Sequence, residues 1–307
     1  MPVALLSKAK HIFTSSSVKN VLPTAFISMN KMSTFETLAV TSPKPFVYHV
    51  ELNRADKFNA FSRTMWSEIK KCFDELDDNA DCRVVILSGA GKHFTAGIDL
   101  QDMVKLGAEL AEFEDIARKA KFMTTMIKNC QESISSLEHC SKPVIAAVHS
   151  ACVGAGVDLI TAADLRYCTQ DAWFQVKEVD IGMAADVGTL QRLPKVIGNN
   201  NLVRELCFTG RKFQSKEAFE CGLIGKVLEN KESLLSHVVN LAEEIASKSP
   251  VAVQMTKKSI IYSMDHTNQE GLDHICAYNR ALLQSEDFIT ACMAQAMKGE
   301  KPVFAKL

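Results

Sequence analysis

No arginine stands before Arg54 and no acidic residue before Glu36, which sets the first 35 residues apart from the rest. That stretch holds Lys8, Lys10, His11, Lys19 and Lys31, a serine cluster at Ser15, Ser16 and Ser17, and apolar Leu5, Leu6, Ile12 and Phe13. An acid-poor, serine-rich, basic composition is that of a mitochondrial transit peptide. The missing arginine leaves a disordered tail as the other reading. The ten cysteines never fall into CxxC spacing, so no disulfide framework is expected and they read as reduced intracellular thiols. His139 and Cys140 adjoin, but no second pair stands at ligand spacing, so no metal is expected. No uninterrupted apolar run approaches the 18 residues that a membrane-spanning helix needs. Neither sign of charge dominates: the formal net charge is −1, which gives no support for a nucleic-acid or anionic-membrane partner.

Two glycine-rich fragments lack what a nucleotide loop requires. In the first, Gly89-Ala90-Gly91-Lys92, the first glycine position of a phosphate loop is occupied by Ile86, and His93 follows the lysine. In the second, Gly154-Ala155-Gly156, Leu159 stands where a dinucleotide fingerprint has its third glycine.

What is present is an ordinary globular composition, 307 residues with 47% hydrophobic and 23% charged, long enough for a large core. Residues 45–52, 83–88 and 142–148 read as short, β-branched core strands. A helix is predicted over about 62–76, with Met65, Ile69, Cys72, Phe73 and Leu76 on one face. Residues 101–140 read as helical, and residues after 199 as mainly helical, apart from a short strand near 225–228. Strand–helix alternation implies an α/β domain with parallel pairing. The division expected is 1–35 as leader or tail, 36–230 as α/β core, 231–304 as a helical region serving as lid or oligomerisation element, and a terminal tripeptide at 305–307. That tripeptide, Ala305-Lys306-Leu307, is similar to the Ser-Lys-Leu peroxisomal address.

The chain is organised around residues 142–198. An apolar strand runs into small residues at 154–156, where a helix should start, and three carboxylates follow: Asp158, Glu178 and Asp186. Unpaired N–H groups at a helix start favour negative charge, so the outline is that of a proton-transfer site around a small oxygen anion. Each acid also has a plainer reading. Asp158 sits early in a helix, where acids are favoured. Glu178 lies in a Lys-Glu-x-Asp run that suits a solvated loop. Asp186 precedes a helix it can cap. His149 reads as a core histidine, Asp164 and Asp180 as structural, and the pair Lys257 and Lys258 as a solvated helix face.

Several motifs in order, FTAGIDL at 94–100, Asn53-Arg54 with Asn59-Ala60, KPVIAAV at 142–148, Gly154-x-Gly156 and Gly188-Thr-x-x-Arg192-Leu-Pro194, resemble the crotonase, or enoyl-CoA hydratase/isomerase, superfamily over about residues 40–300. The resemblance implies a crotonase-like spiral of ββα units with C-terminal helices that join trimers, pairing into hexamers. It implies an acyl-CoA thioester substrate, no cofactor beyond the CoA that the substrate carries, and an enolate held by the backbone N–H groups of Ile98 and Ala155. Gly97, Ile98, Asp99, Leu100, Gln101 and Gly156 match positions lining the thioester and pantetheine. The segment 174–189 resembles members that convert 3,5-dienoyl thioesters into 2,4-dienoyl thioesters in unsaturated fatty acid β-oxidation. In those members Asp186 matches the group that removes the C2 proton, Glu178 the group that protonates C6, and Asp158 a third acid of the pocket, orienting or polarising. The alternatives are an enoyl-CoA hydratase, or a catalytically idle CoA-binding relative. The resemblance further implies a peroxisomal or mitochondrial location, with a peroxisomal import receptor as partner for the terminal tripeptide.

Overall fold

Residues 32–307 are described by the structure, a computed structural model. The leader read at 1–35 lies almost wholly outside them. In chain order the strands are β1 (Leu38–Lys44), β2 (Val47–Leu52), β3 (Val84–Gly89), β4 (Val144–Val148), β5 (Ala151–Val153), β6 (Leu165–Thr169), β7 (Trp173–Gln175), β8 (Phe213–Gln214) and β9 (Lys226–Leu228). The helices are α1 (Arg63–Asp78), α2 (Leu100–Ala111), α3 (Ile116–His139), α4 (Ala155–Thr161), α5 (Thr189–Ile197), α6 (Asn200–Thr209), α7 (Ser215–Glu220), α8 (Lys231–Ala246), α9 (Pro250–Ser263), α10 (Asn268–Leu282) and α11 (Glu286–Met297). Short 3₁₀ turns occupy Ala55–Lys57 and Glu178–Ile181.

Six strands form one sheet in the order β1-β2-β3-β4-β6-β9, and β5-β7-β8 form a second. Only β1–β2 is antiparallel in the first sheet; the rest pair in parallel. Every residue of β3 and β4 is buried, as in parallel strands covered on both faces. The two-residue period divides them cleanly. Val85, Leu87, Val144 and Ala146 join the core that α1 covers, with Met65, Ile69, Phe73 and Leu76, while Val84, Ile86 and Ile145 face α8 through Leu234, Val238 and Ala242. The apolar face predicted for α1 is therefore the one it buries. Ser62 caps that helix, accepting from the Met65 amide at 3.3 Å. α8 falls in the region read from sequence as appended helices, yet it packs on the sheet itself. By contrast, α10 and α11 bury no residue at all.

The last residues lie along the core. Arg83 donates to the carbonyls of Phe304 at 2.7 Å and Ala305 at 3.0 Å, and Lys306 pairs with Asp81. No helix among the described residues is long and apolar enough to cross a membrane. No group of three or more His, Cys, Asp or Glu side chains among them could hold a metal ion.

Candidate active site

A cleft of about 520 Å³ opens between the loop before α2, the turn before α4, α3 and the segment after β7. Glycines let its walls meet. Gly97 takes φ +93, and a Cβ there would stand 3.0 Å from the Val153 carbonyl. Gly154 takes φ +52, and a Cβ there would stand 3.2 Å from Glu178 Oε1. Both are conformations and approaches that only glycine tolerates well. Ala155 is the first residue of α4 and lies outside the left-handed region, so its methyl group brings no backbone strain. The positive φ of this turn falls on Gly154 instead.

Ile98 and Ala155 both line the cleft. Neither of their amides donates to another described residue, although the neighbouring amides do: Gly97 N to Thr95 Oγ1, Asp99 N to the Phe61 carbonyl, and Gly154 N to the Gln175 carbonyl. Two free N–H groups lining one cleft, one on the loop before α2 and one at the start of α4, are the donor set that a developing oxyanion needs. The loop carrying Ile98 is braced from below. Asn59 donates to the carbonyls of Ala90, His93 and Phe94, and Thr95 Oγ1 donates to the Asn59 carbonyl at 2.7 Å. Asp99 caps α2, accepting from the Gln101 amide at 3.0 Å, and is held by both terminal nitrogens of Arg54 at 3.1 Å. Gly97, Asp99, Leu100 and Gln101 all line the cleft. Gly156 does not. It is enclosed behind the wall, where a Cβ would collide with Thr95 and crowd Cys152 Sγ at 3.2 Å, so its part is close packing.

Of the three acids, Glu178 and Asp186 line the cleft and Asp158 sits behind it. Asp158 is fully enclosed, at 0% exposure. One of its oxygens accepts from the Thr189 amide at 2.5 Å, and the other has no partner among the described residues. Burial pushes its pKa up to about 6, against the lowering effect of the Thr189 contacts. Glu178 is buried, not a solvated loop residue. Burial, then the neighbouring charge of Asp158, pushes it up to about 7, and its Oε2 has no partner among the described residues. Asp186 is half-buried, and burial raises it above the ordinary aspartate value. It does not cap α5, whose N-cap is Gly188. Its backbone carbonyl is fixed by Gln131 at 2.7 Å.

The remaining wall is apolar: Phe61 and Trp66 from the α1 end, Met103 and Leu106 from α2, and Met123, Met126, Ile127 and Cys130 from α3. Sequence reading passed over this wall. Its signal was the 123, 126, 127, 130 spacing, which places one stripe of α3 on the cleft. His149 is a core histidine bonded to the Gly91 carbonyl at 3.0 Å. Lys257 departs from the solvated face expected for it: it is buried, paired with Asp164 at 2.8 Å, and donates to the carbonyls of Leu137 and Lys142.

Comparison with known proteins agrees with this geometry. The pattern of the enoyl-CoA hydratase/isomerase family matches residues 44–301. The chain is 51% identical over 260 residues to the mitochondrial Delta(3,5)-Delta(2,4)-dienoyl-CoA isomerase of Homo sapiens, covering 85% of this chain and 79% of that protein. It is 44% identical to the peroxisomal Delta(3,5)-Delta(2,4)-dienoyl-CoA isomerase of Arabidopsis thaliana, covering 90% of this chain and 99% of that one. Among solved structures, the enoyl-CoA hydratase of Bacillus anthracis superposes with a TM-score of 0.78 at 27% identity, covering 88% of this chain and 99% of that one. An enoyl-CoA hydratase/isomerase of Marinobacter aquaeolei gives 0.79 at 25% identity, covering 87% and 98%. The match over most of the chain, together with the paired amides and buried acids of the cleft, makes this chain a member of the enoyl-CoA hydratase/isomerase family.

Proposed function

We propose that this enzyme converts 3,5-dienoyl-CoA into 2,4-dienoyl-CoA. The observation that carries the reading is that Glu178 and Asp186, two separate carboxylates, line one cleft with the free amides of Ile98 and Ala155. The names of the relatives at 44–51% identity support it. A shift across five carbons has distant ends, so two groups are needed, one at each. Asp186 takes the proton from C2, and the C2–H electrons form C1=C2 while the thioester oxygen becomes an anion. Ile98 N–H and Ala155 N–H stabilise that anion, each by about 3–4 kcal/mol. As the anion collapses, C2=C3 and C4=C5 form and C6 takes a proton from Glu178. The high pKa of Glu178 suits a group that must hold a proton near neutrality. Asp158 contacts no substrate in this scheme. It polarises, raising the pKa of Glu178 and anchoring the start of α5 through Thr189. The chemistry draws on no cofactor beyond the CoA of the substrate.

The likeness to the enoyl-CoA hydratase of Bacillus anthracis favours a second reading, the addition of water to a 2-enoyl-CoA. One experiment separates the two. The wild type is offered 3,5-dienoyl-CoA and 2-enoyl-CoA in turn, and the ultraviolet spectrum is followed, because the conjugated 2,4-product absorbs at longer wavelength. The isomerase reading expects rapid conversion of the diene, lowered by about 10²–10⁴ in Asp186→Asn. Full activity in a folded Asp186→Asn, or hydration with the diene untouched, would reject it.

Assembly through the C-terminal helices, as trimers that pair into hexamers, belongs to the same proposal, as does import. The relatives carry both mitochondrial and peroxisomal labels. Residues 1–35 fused to a reporter should reach mitochondria, and removal of 305–307 should lower capture by a peroxisomal import receptor. A reporter left in the cytosol would remove the first half of that claim.

A further inference from the structure

Glu178 opens a 3₁₀ turn that ends at Ile181. In a 3₁₀ helix residues three apart eclipse one another, so Ile181 stands over Glu178 on the same side of the turn. Both line the cleft, and so does Met183, whose amide returns to the Glu178 carbonyl at 3.1 Å. Their exposures differ sharply. Glu178 is 9% exposed, while Ile181 is 47% exposed, a large apolar side chain at a lip of the cleft. Nothing in the turn itself explains an exposed isoleucine there; its Asp180 pairs with Lys177, the residue before the turn, at 2.9 Å. The apolar stripe of α3 comes beside Asp186 at Cys130. Cys130 shares the cleft wall with Asp186, whose charge helps to raise the thiol after burial has done so.

We infer that Ile181 and Met183 bind the acyl tail beyond C6 and so set chain-length preference. This rests on the isomerase reading. If C6 meets Glu178, every carbon past C6 leaves the reacting segment beside the turn that carries Glu178. Ile181, which ends that turn, and Met183, two residues on, are the apolar side chains that this segment presents to the cleft. A lip open to solvent places no end wall in the path of a long chain. Each added methylene gains by covering Ile181, and substrates that stop at C6 gain nothing.

The test compares 3,5-hexadienoyl-CoA, which ends at C6, with 3,5-dodecadienoyl-CoA, in the wild type, in the double variant Ile181→Ser/Met183→Ser, and in Met126→Ser. The readout is the ratio of kcat/KM for the long diene over the short one. The double variant should lower that ratio by about tenfold or more, the scale set by losing apolar contact to a few methylenes. The loss should lie mainly in KM, because the reacting atoms are not displaced, and Ile181→Leu should restore the ratio. A ratio equal to the wild type's overturns the inference while leaving the isomerase reading intact. So does a selective fall in Met126→Ser with the double variant silent, which would place the tail along α3. A wild type inert toward both dienes overturns the isomerase reading, and this inference with it.

Discussion

Glu178 shows how burial and chemistry are linked at a single residue. A carboxylate raised to about 7 holds its proton more tightly in the folded chain than in the unfolded one. Between the ordinary glutamate value and about 7, the native state therefore carries the extra proton, and stability falls as pH rises through that window. Glu178→Gln removes the charge that has to be buried. It should stabilise the fold by roughly 2–3 kcal/mol at pH 8 and by almost nothing at pH 4. Activity should move the other way, because the acid proposed to serve C6 is gone. In the wild type, turnover should decline above about pH 7, as Glu178 loses its proton, and again at acid pH, as Asp186 gains one. Thermal melts and a pH–rate profile check both arms; a Glu178→Gln gain that is the same at pH 4 and pH 8 would contradict the burial argument. The identities of these acids were legible in the sequence, but their environments were not. A Lys-Glu-x-Asp run is polar by composition, and only the chain's return over β5 and β7 encloses Glu178 while leaving Lys177 and Asp180 outside. Lys257 was misread for the same reason: its partner Asp164 is 93 positions away and meets it only in three dimensions.

At the scale of elements, length decided what could be read. α1 and the strands β3 and β4 have long or strongly apolar patterns, and the structure contains them within about two residues of the expected bounds. β5, β7 and β8 are three, three and two residues long, too short to carry a period. β1 reads LAVTSPK and is an edge strand exposed over much of its length, so its composition resembles a loop. β6 is only half-buried over its first three residues. The missed pieces matter for the site. The pairing of β5 with β7, Val153 opposite Gln175, brings the Gly154 turn beside the segment that carries Glu178. A hydrogen bond from Gly154 N to the Gln175 carbonyl at 2.9 Å fixes that approach. The sequence motifs name the residues of the cleft, and this small second sheet sets two of its walls at a working distance.

For the whole molecule, the informative feature is a surface that a single chain leaves open. α10 spans 15 residues and α11 spans 12, and neither buries one residue. Among their side chains, Leu272, Phe288, Ile289, Met293 and Met297 are all more than 40% exposed. Both helices are well formed: Thr267 and Glu270 make a capping box for α10, and Ser285 caps α11 by accepting from the Phe288 amide at 3.2 Å. Helices this short draw most of their stability from packing, and contiguous exposed apolar area marks an interface. A second copy of the same chain is the partner proposed for this surface. The wild type should therefore scatter light as a trimer or hexamer at micromolar concentration. Leu272→Asp/Phe288→Asp should shift it toward monomer, because a charge buried in an interface without a partner costs several kcal/mol. The α/β core should keep its melting behaviour in that variant, since neither side chain belongs to its buried clusters. A wild type that is monodisperse as a monomer would show that these helices serve the chain in some other way.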